Sequence, residues 1–238
     1  MNSEIRLSSN PKSRFSEAIK TIRTNLAFSS IDKELKVILI TSPEAGDGKS
    51  YISANLAVAY AQEGKKVLLI DADLRKGRQH EIYDVQNPIN TGYSNLILRY
   101  TDGMNIDKYI ETTNIKNVFL IPTGPTPPNP IELLDSEKNA KFIEKAKDKF
   151  DIIILDCPPV IGLSDALVIT KFSDVNIVVV SNKKTKFENL DRTKKIFEQA
   201  NKKIDGVIIN KAQTKQYSYY SYYTNDDYYR KKEENNDV

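Results

Sequence analysis

Six short apolar runs set the frame within which this chain can fold: KVILITS (36–42), KKVLLID (65–71), NVFLIP (117–122), DIIILD (151–156), DVNIVVVS (174–181) and DGVIIN (205–210). None keeps a strict polar–apolar alternation. Each therefore reads as a strand apolar on both faces, the pattern of strands buried in a parallel sheet. Longer stretches predict helices at about 14–29, 48–63, 130–149, 163–172 and 186–202. Alternation of this kind gives an α/β doubly wound domain, a mostly parallel sheet with helices on both faces, whose ligands gather at the carboxyl edge of the strands.

The punctuation agrees. PTGPTPPNP (122–130) is too proline-rich for either element and reads as an extended loop. Asn129 then offers an N-cap, Pro130 suits the first helical position, and Glu132 falls where a capping-box acid belongs. From Ala212 the apolar period ends and no caps follow, so 212–238 is expected to be a flexible tail behind one domain spanning 1–211.

Composition narrows the class. A chain of 238 residues can bury a substantial core, and a net charge of +3 gives no reason to expect nucleic acid. The single cysteine, Cys157, excludes an internal disulfide framework and suits a reducing cytoplasm. The single His80 rules out His-rich metal sites. No apolar run approaches the ~20 residues of a membrane span, and the N-terminus lacks a signal-peptide apolar region.

The stretch SPEAGDGKS (42–50) lies between a buried strand and a helix, the context a phosphate-binding loop requires. It fills the second half of G-x-x-x-x-G-K-[ST], but Pro43 stands at the first glycine position. Gly46 and Gly48 let backbone N–H groups turn towards phosphate oxygens, flanked by Glu44, Ala45, Asp47 and Tyr51. Lys49 can reach the β- and γ-phosphates, and the Ser50 hydroxyl can ligate Mg²⁺. Two further strand ends carry acids: VLLIDADLR supplies Asp71 and Asp73, and IIILDCPPV supplies Asp156. A carboxylate at the end of an apolar strand is costly to desolvate unless a cation or donor meets it. Three of them beside Lys49 and Ser50 make a site for Mg²⁺ and a nucleotide.

Together these residues resemble the bacterial tyrosine kinases, cytoplasmic autokinases that regulate capsular and exopolysaccharide synthesis. The resemblance covers about residues 12–211 and rests on a Walker A loop (42–50), an A′ motif (Asp71, Asp73, Arg75) and a Walker B motif (Asp156, Pro159), followed by a tyrosine cluster. It implies ATP and Mg²⁺ as cofactors, with Lys49 and the loop amides on the phosphates. Ser50, Asp73 and Asp156 would hold Mg²⁺, and Asp71 would accept the tyrosine proton. Arg75 would steady the A′ loop or serve an interface, and its spacing does not decide between them. Asn210, at the end of the last strand, would contact adenine.

The resemblance also implies assembly. The family builds a ring through E-x-x-R-x-x-R on its first helix, and this chain has Glu17, Lys20 and Arg23 at those positions. Lys20 keeps the charge but not the bidentate fork of arginine. Tyr217, Tyr219, Tyr220, Tyr222, Tyr223, Tyr228 and Tyr229 are the expected phosphorylation sites. A membrane adaptor would recruit the kinase to the inner face of the cell membrane and activate it, and a tyrosine phosphatase would reverse the modification. The competing classes are a partitioning or division-site ATPase and a nucleotide-gated interaction module. The former carries a second lysine five residues before the Walker lysine, where this chain has Glu44.

Overall fold

The computed structural model describes residues 5–29, 34–87, 89–182 and 184–212. The elements are α1 (Arg6–Ser9), α2 (Arg14–Ser29), β1 (Val37–Thr41), α3 (Lys49–Gln62), β2 (Val67–Asp71), α4 (Gln79–Tyr83), α5 (Tyr93–Arg99) and β3 (Glu111–Thr112). They continue with β4 (Val118–Ile121), α6 (Pro130–Asp135), α7 (Glu137–Lys147), β5 (Ile152–Asp156), α8 (Asp165–Ile169), β6 (Val175–Ser181), α9 (Phe187–Gln199) and β7 (Gly206–Asn210). The strands form one sheet in the order β3-β4-β2-β5-β1-β6-β7. All neighbours run parallel except β3 and β4.

Because successive strand side chains point to opposite faces, the doubly apolar runs feed two cores at once. Ile38, Ile40, Leu69 and Ile154 pack with Ile19 of α2, Leu56 of α3 and Tyr83 of α4. Leu39, Leu68, Ile70 and Ile153 face the other way, towards Leu96 of α5, Phe142 of α7 and Phe197 of α9. Burying each such side chain contributes about 1.5–3 kcal/mol, so these layers outweigh any single polar contact in holding the fold. Helix α3 lies between the sheet and α2, and every residue from Ile52 to Ala61 is buried. Its alanines at 54, 57, 59 and 61 allow close approach on all sides, and Asn55 Oδ1 accepts the Leu7 N–H at 3.0 Å to tie down α1.

The structure adds α1, α4, α5 and β3 to the expected elements and departs from the expectations in four further places. The helix expected over 130–149 breaks at Ser136, whose extended backbone (φ −67°, ψ 153°) ends α6. The Ser136 hydroxyl then caps α7 by accepting the Asn139 N–H. Asn129 stands at the N-cap of α6 without capping it, and its amide donates instead to Glu132 Oε2 at 3.2 Å. The helix expected at 163–172 is α8 followed by a tight 3-10 turn at Thr170–Phe172. Finally, β7 is an edge strand covered on one face only, leaving Val207 and Ile209 47% and 62% exposed. The tail tyrosines lie outside the described residues.

Candidate nucleotide and catalytic site

The loop 42–50 begins where β1 ends at the carboxyl edge of the sheet. Pro43 answers for the missing first glycine: its carbonyl accepts the Ile161 N–H at 3.2 Å, and Ser42 O accepts that of Val160 at 3.0 Å. The loop entry is thus fastened to the turn after β5. Gly46 and Gly48 then adopt φ of +87° and +102°, a region that suits glycine. A methyl group on Gly48 would stand 2.0 Å from Asn210 Nδ2.

Groups from the ends of β6 and β7 hold the loop from outside. Lys184 Nζ donates to Ala45 O, Lys211 Nζ to Gly46 O at 2.7 Å, and Asn210 Nδ2 to Asp47 O at 2.8 Å. The buried Asp47 carboxylate accepts the Glu44 N–H and the Thr185 hydroxyl, both at 3.0 Å. With these carbonyls engaged, the N–H groups of Gly46 to Ser50 have no acceptor among the described residues. A row of free amides at a helix N-terminus is an anion cradle.

The acids expected from the strand ends converge on Lys49. Asp71 and Asp156 are register partners on β2 and β5. Lys49 Nζ lies 3.1 Å from Asp73 Oδ2, 3.7 Å from Asp156 Oδ1 and 3.2 Å from Ser50 Oγ. Burial works against the Lys49 charge, but Asp156, Asp73 and Asp71 outweigh it and raise its pKa above the ordinary value. The ammonium is therefore a permanent cation in this site. Ser50, Asp73 and Asp156 present hard oxygen donors of the kind Mg²⁺ takes, gathered here around the Lys49 ammonium. The free amides beside them fit the phosphates of ATP.

The fully buried Asp71 carboxyl is pushed well above the usual range, first by desolvation and then by the negative charge of Asp156. The Gln79 N–H donates to Asp71 Oδ2 at 2.9 Å, whereas Asp71 Oδ1 has no hydrogen-bond partner among the described residues. Asp73 is fully committed: its Oδ1 accepts from the Lys76 N–H at 3.0 Å and, more weakly, from that of Arg75 at 3.4 Å. Arg75 itself forks onto the buried Asp165 of α8 through Nε (3.0 Å) and Nη2 (3.3 Å). That contact steadies the A′ loop.

Other expected residues are placed apart from this centre. The Tyr51 ring packs against Phe15 of α2 at 5.3 Å. Both polar ends of Asn210 are engaged, Nδ2 with Asp47 O and Oδ1 with the Lys211 N–H. On α2, Glu17 and Lys20 pair with each other at 2.8 Å. Arg23 turns into its own domain, donating to Ala59 O at 3.0 Å and pairing with Glu63 at 2.5 Å.

Several contributors carry no motif. Ser53 donates to Lys49 O and to Asp156 Oδ1, one helical turn beyond the loop. Gly77 passes so close to the site that a methyl group there would stand 2.6 Å from Asp71 Oδ2. Gln79 joins two site carboxylates. Only the i+4 spacing of Ser53 from Lys49 could have been read in advance, since the rest depend on how distant loops meet. Among the described residues no helix is long and apolar enough to cross a membrane.

Comparison with known proteins places this geometry. Residues 35–210 match the family model described as an AAA domain. The chain is 37% identical to tyrosine-protein kinase YwqD of Bacillus subtilis, over 93% of this chain and 92% of that one. Among solved structures, the chimerical protein CapA2B2 superposes with a TM-score of 0.80 at 35% identity, covering 88% and 89% of the two chains. The kinase domain of the Escherichia coli tyrosine kinase ETK gives 0.79 at 31% identity, covering 90% and 84%.

Proposed function

This chain belongs to the bacterial tyrosine-protein kinases, and we propose that it transfers the γ-phosphoryl group of ATP to tyrosine hydroxyls, chiefly those of its own tail. The observation that carries this reading is the contrast between Asp71 and Asp73. Both oxygens of Asp73 are occupied, whereas Asp71 keeps one oxygen without a donor. Bound Mg-ATP would supply the phosphoryl group and the divalent charge that offsets it. The amides of 46–50 would hold the phosphates, joined by Lys49 once it leaves Asp73 Oδ2. Ser50, Asp156 and the Asp73 oxygen so released would hold the metal. Asp71, in the ionised form that the divalent charge beside it would favour, would accept the proton of the attacking tyrosine hydroxyl through Oδ1.

The tail supplies the acceptor tyrosines. Seven residues separate Asn210 from Tyr217, a span of roughly 23 Å when extended, so a neighbour's site is as reachable as its own. Transfer between neighbours calls for a homo-oligomeric ring, built through α2. Glu17 and Lys20 are exposed enough to re-pair across an interface, but Arg23 would first have to leave Glu63 and Ala59. A membrane adaptor would bring the kinase to the inner membrane face and tighten ATP binding, a phosphatase would reset the tail, and the cycle would regulate capsule or exopolysaccharide synthesis and export.

The test is incubation of purified protein with Mg-ATP, with and without adaptor peptides, followed by mass-spectrometric mapping of phosphosites. Phosphotyrosine in the tail is the expected result. Phosphate release without modified tyrosine would instead mark a division-site-like ATPase. Nucleotide binding with neither product would mark an interaction module.

A further inference from the structure

Gln79 opens α4, outside every motif of the site, yet it is fully buried and touches three parts of it. Its Nε2 donates to Asp156 Oδ2 at 2.8 Å and to Ser50 O at 2.9 Å. Its backbone N–H donates to Asp71 Oδ2 at 2.9 Å. Both side-chain partners are acceptors, so the orientation of the amide is fixed by its contacts. The chain reaches this position only because Gly77 lacks a side chain where it passes Asp71.

The consequence is a division of labour within each carboxylate. Asp156 gives Oδ2 to Gln79 and keeps Oδ1 towards Lys49, with the Ser53 hydroxyl donating to it at 3.3 Å. Asp71 gives Oδ2 to the Gln79 backbone and keeps Oδ1 without a donor. Without Nε2, the buried Asp156 would be free to turn both oxygens towards Lys49. The Ser50 carbonyl, in the first turn of the phosphate-binding helix, would lose its tie to β5.

We propose that Gln79 is the positioning residue of this site, the amide that assigns one oxygen of Asp156 to structure and presents the other to the metal while anchoring the Asp71 side. This rests on the kinase reading for its effect on turnover, but its effect on metal affinity stands apart. Gln79→Met keeps the length, volume and backbone N–H while removing the amide. Outer-sphere partners of this kind are worth about 10- to 100-fold in metal affinity or activity. A shift of that size is expected in the Mg²⁺ concentration that half-saturates binding of a non-hydrolysable ATP analogue. Affinity for the analogue without Mg²⁺, set chiefly by the loop amides, should fall much less than that. Tyrosine phosphorylation should fall through kcat, with KM for ATP unchanged at saturating Mg²⁺.

The experiment measures analogue binding across a Mg²⁺ titration for wild type, Gln79→Met and Gln79→Glu, with thermal midpoints of each. Gln79→Glu keeps the shape and puts an acceptor where Asp156 needs a donor, so it should shift the Mg²⁺ titration at least as far. It also serves if Gln79→Met fails to fold. An unchanged titration in either folded variant overturns the proposal. So does an equal loss of Mg²⁺-free binding, which would mark Gln79 as structural only. A wild-type protein that forms no phosphotyrosine would overturn the kinase reading, leaving the Mg²⁺ titration to decide the role of Gln79.

Discussion

Asp71 and Asp156 end adjacent strands as direct register partners, both fully buried and both beside the ammonium of Lys49. Two carboxylates this close, out of water, cannot both ionise cheaply. Asp71 responds by holding its proton more tightly than an unfolded chain would, with its pKa raised from 3.8 to about 8. A carboxyl with a raised folded pKa contributes stability at low pH and loses it as pH rises through that value. In the absence of Mg²⁺ and nucleotide, the thermal midpoint should therefore decline from about pH 5 to about pH 8, and the decline should be shallower in Asp71→Asn. Thermal unfolding across that range checks it, and equal slopes would place the titration elsewhere.

Lys49→Met should abolish tyrosine phosphorylation, and it should also weaken the nucleotide-free protein. Lys49 neutralises Asp73 and Asp156 in a buried setting, and removing one partner of such a group costs about 3–5 kcal/mol. Urea unfolding beside a phosphotyrosine assay measures both, and a variant as stable as wild type would show the acids to be hydrated in solution.

Gly77→Ala tests whether the A′ loop must pass as close as it does. The added methyl would meet Asp71 Oδ2 and Thr123 Cβ, each at 2.6 Å. Forced repacking of this kind costs about 1–3 kcal/mol. Nucleotide binding should survive, because the 42–50 loop is untouched, while phosphorylation falls as Asp71 moves. Fluorescent nucleotide titration beside a phosphotyrosine assay separates the two effects.

Phosphorylation should loosen the ring proposed above. Residues 211–238 carry five basic and five acidic side chains, so the unmodified segment is neutral. Each phosphotyrosine adds about −1.5 to −2 charges near neutral pH. Several per subunit should drive neighbours apart at low salt, and less so above physiological ionic strength, where exposed charges are screened beyond about 8 Å. Light scattering of both forms at two salt concentrations, with a truncation at Thr214 as control, reads the outcome. A phosphorylated protein that stays assembled at low salt would reduce the tail to a signal.

The strands and the phosphate loop were legible in the sequence because their signals are local. A run such as DIIILD admits few readings, and G-D-G-K-S puts its glycines at the two positions that need a positive φ. What escaped was settled by contacts between distant segments. Gln79 follows a loop with no apolar period, and only the meeting of β2 with β5 brings Asp156 within its reach. Arg75 could be assigned to its loop only once α8 placed Asp165 beneath it. Ser136 interrupts an otherwise continuous helical pattern, and its cap on Asn139 decides where the helix restarts. The apolar run of β7 suggested burial on both faces, but edge position is a property of sheet order that no single strand reveals.

The clasp on the nucleotide loop also bears on how the protein comes into being. Asn210 and Lys211 lie 163 and 165 positions beyond the residues whose carbonyls they hold. At about 5–20 residues per second, the loop leaves the ribosome roughly 10–30 s before its holders are made. Meanwhile β1 lacks both of its sheet neighbours, β5 and β6, which are also encoded late. A ligand stabilises only the state that binds it, so ATP can offer nothing to the nascent chain. For most of its synthesis the apolar centre of the future sheet therefore lacks the strands that will flank it, and the loop gains its holders only with the last strand.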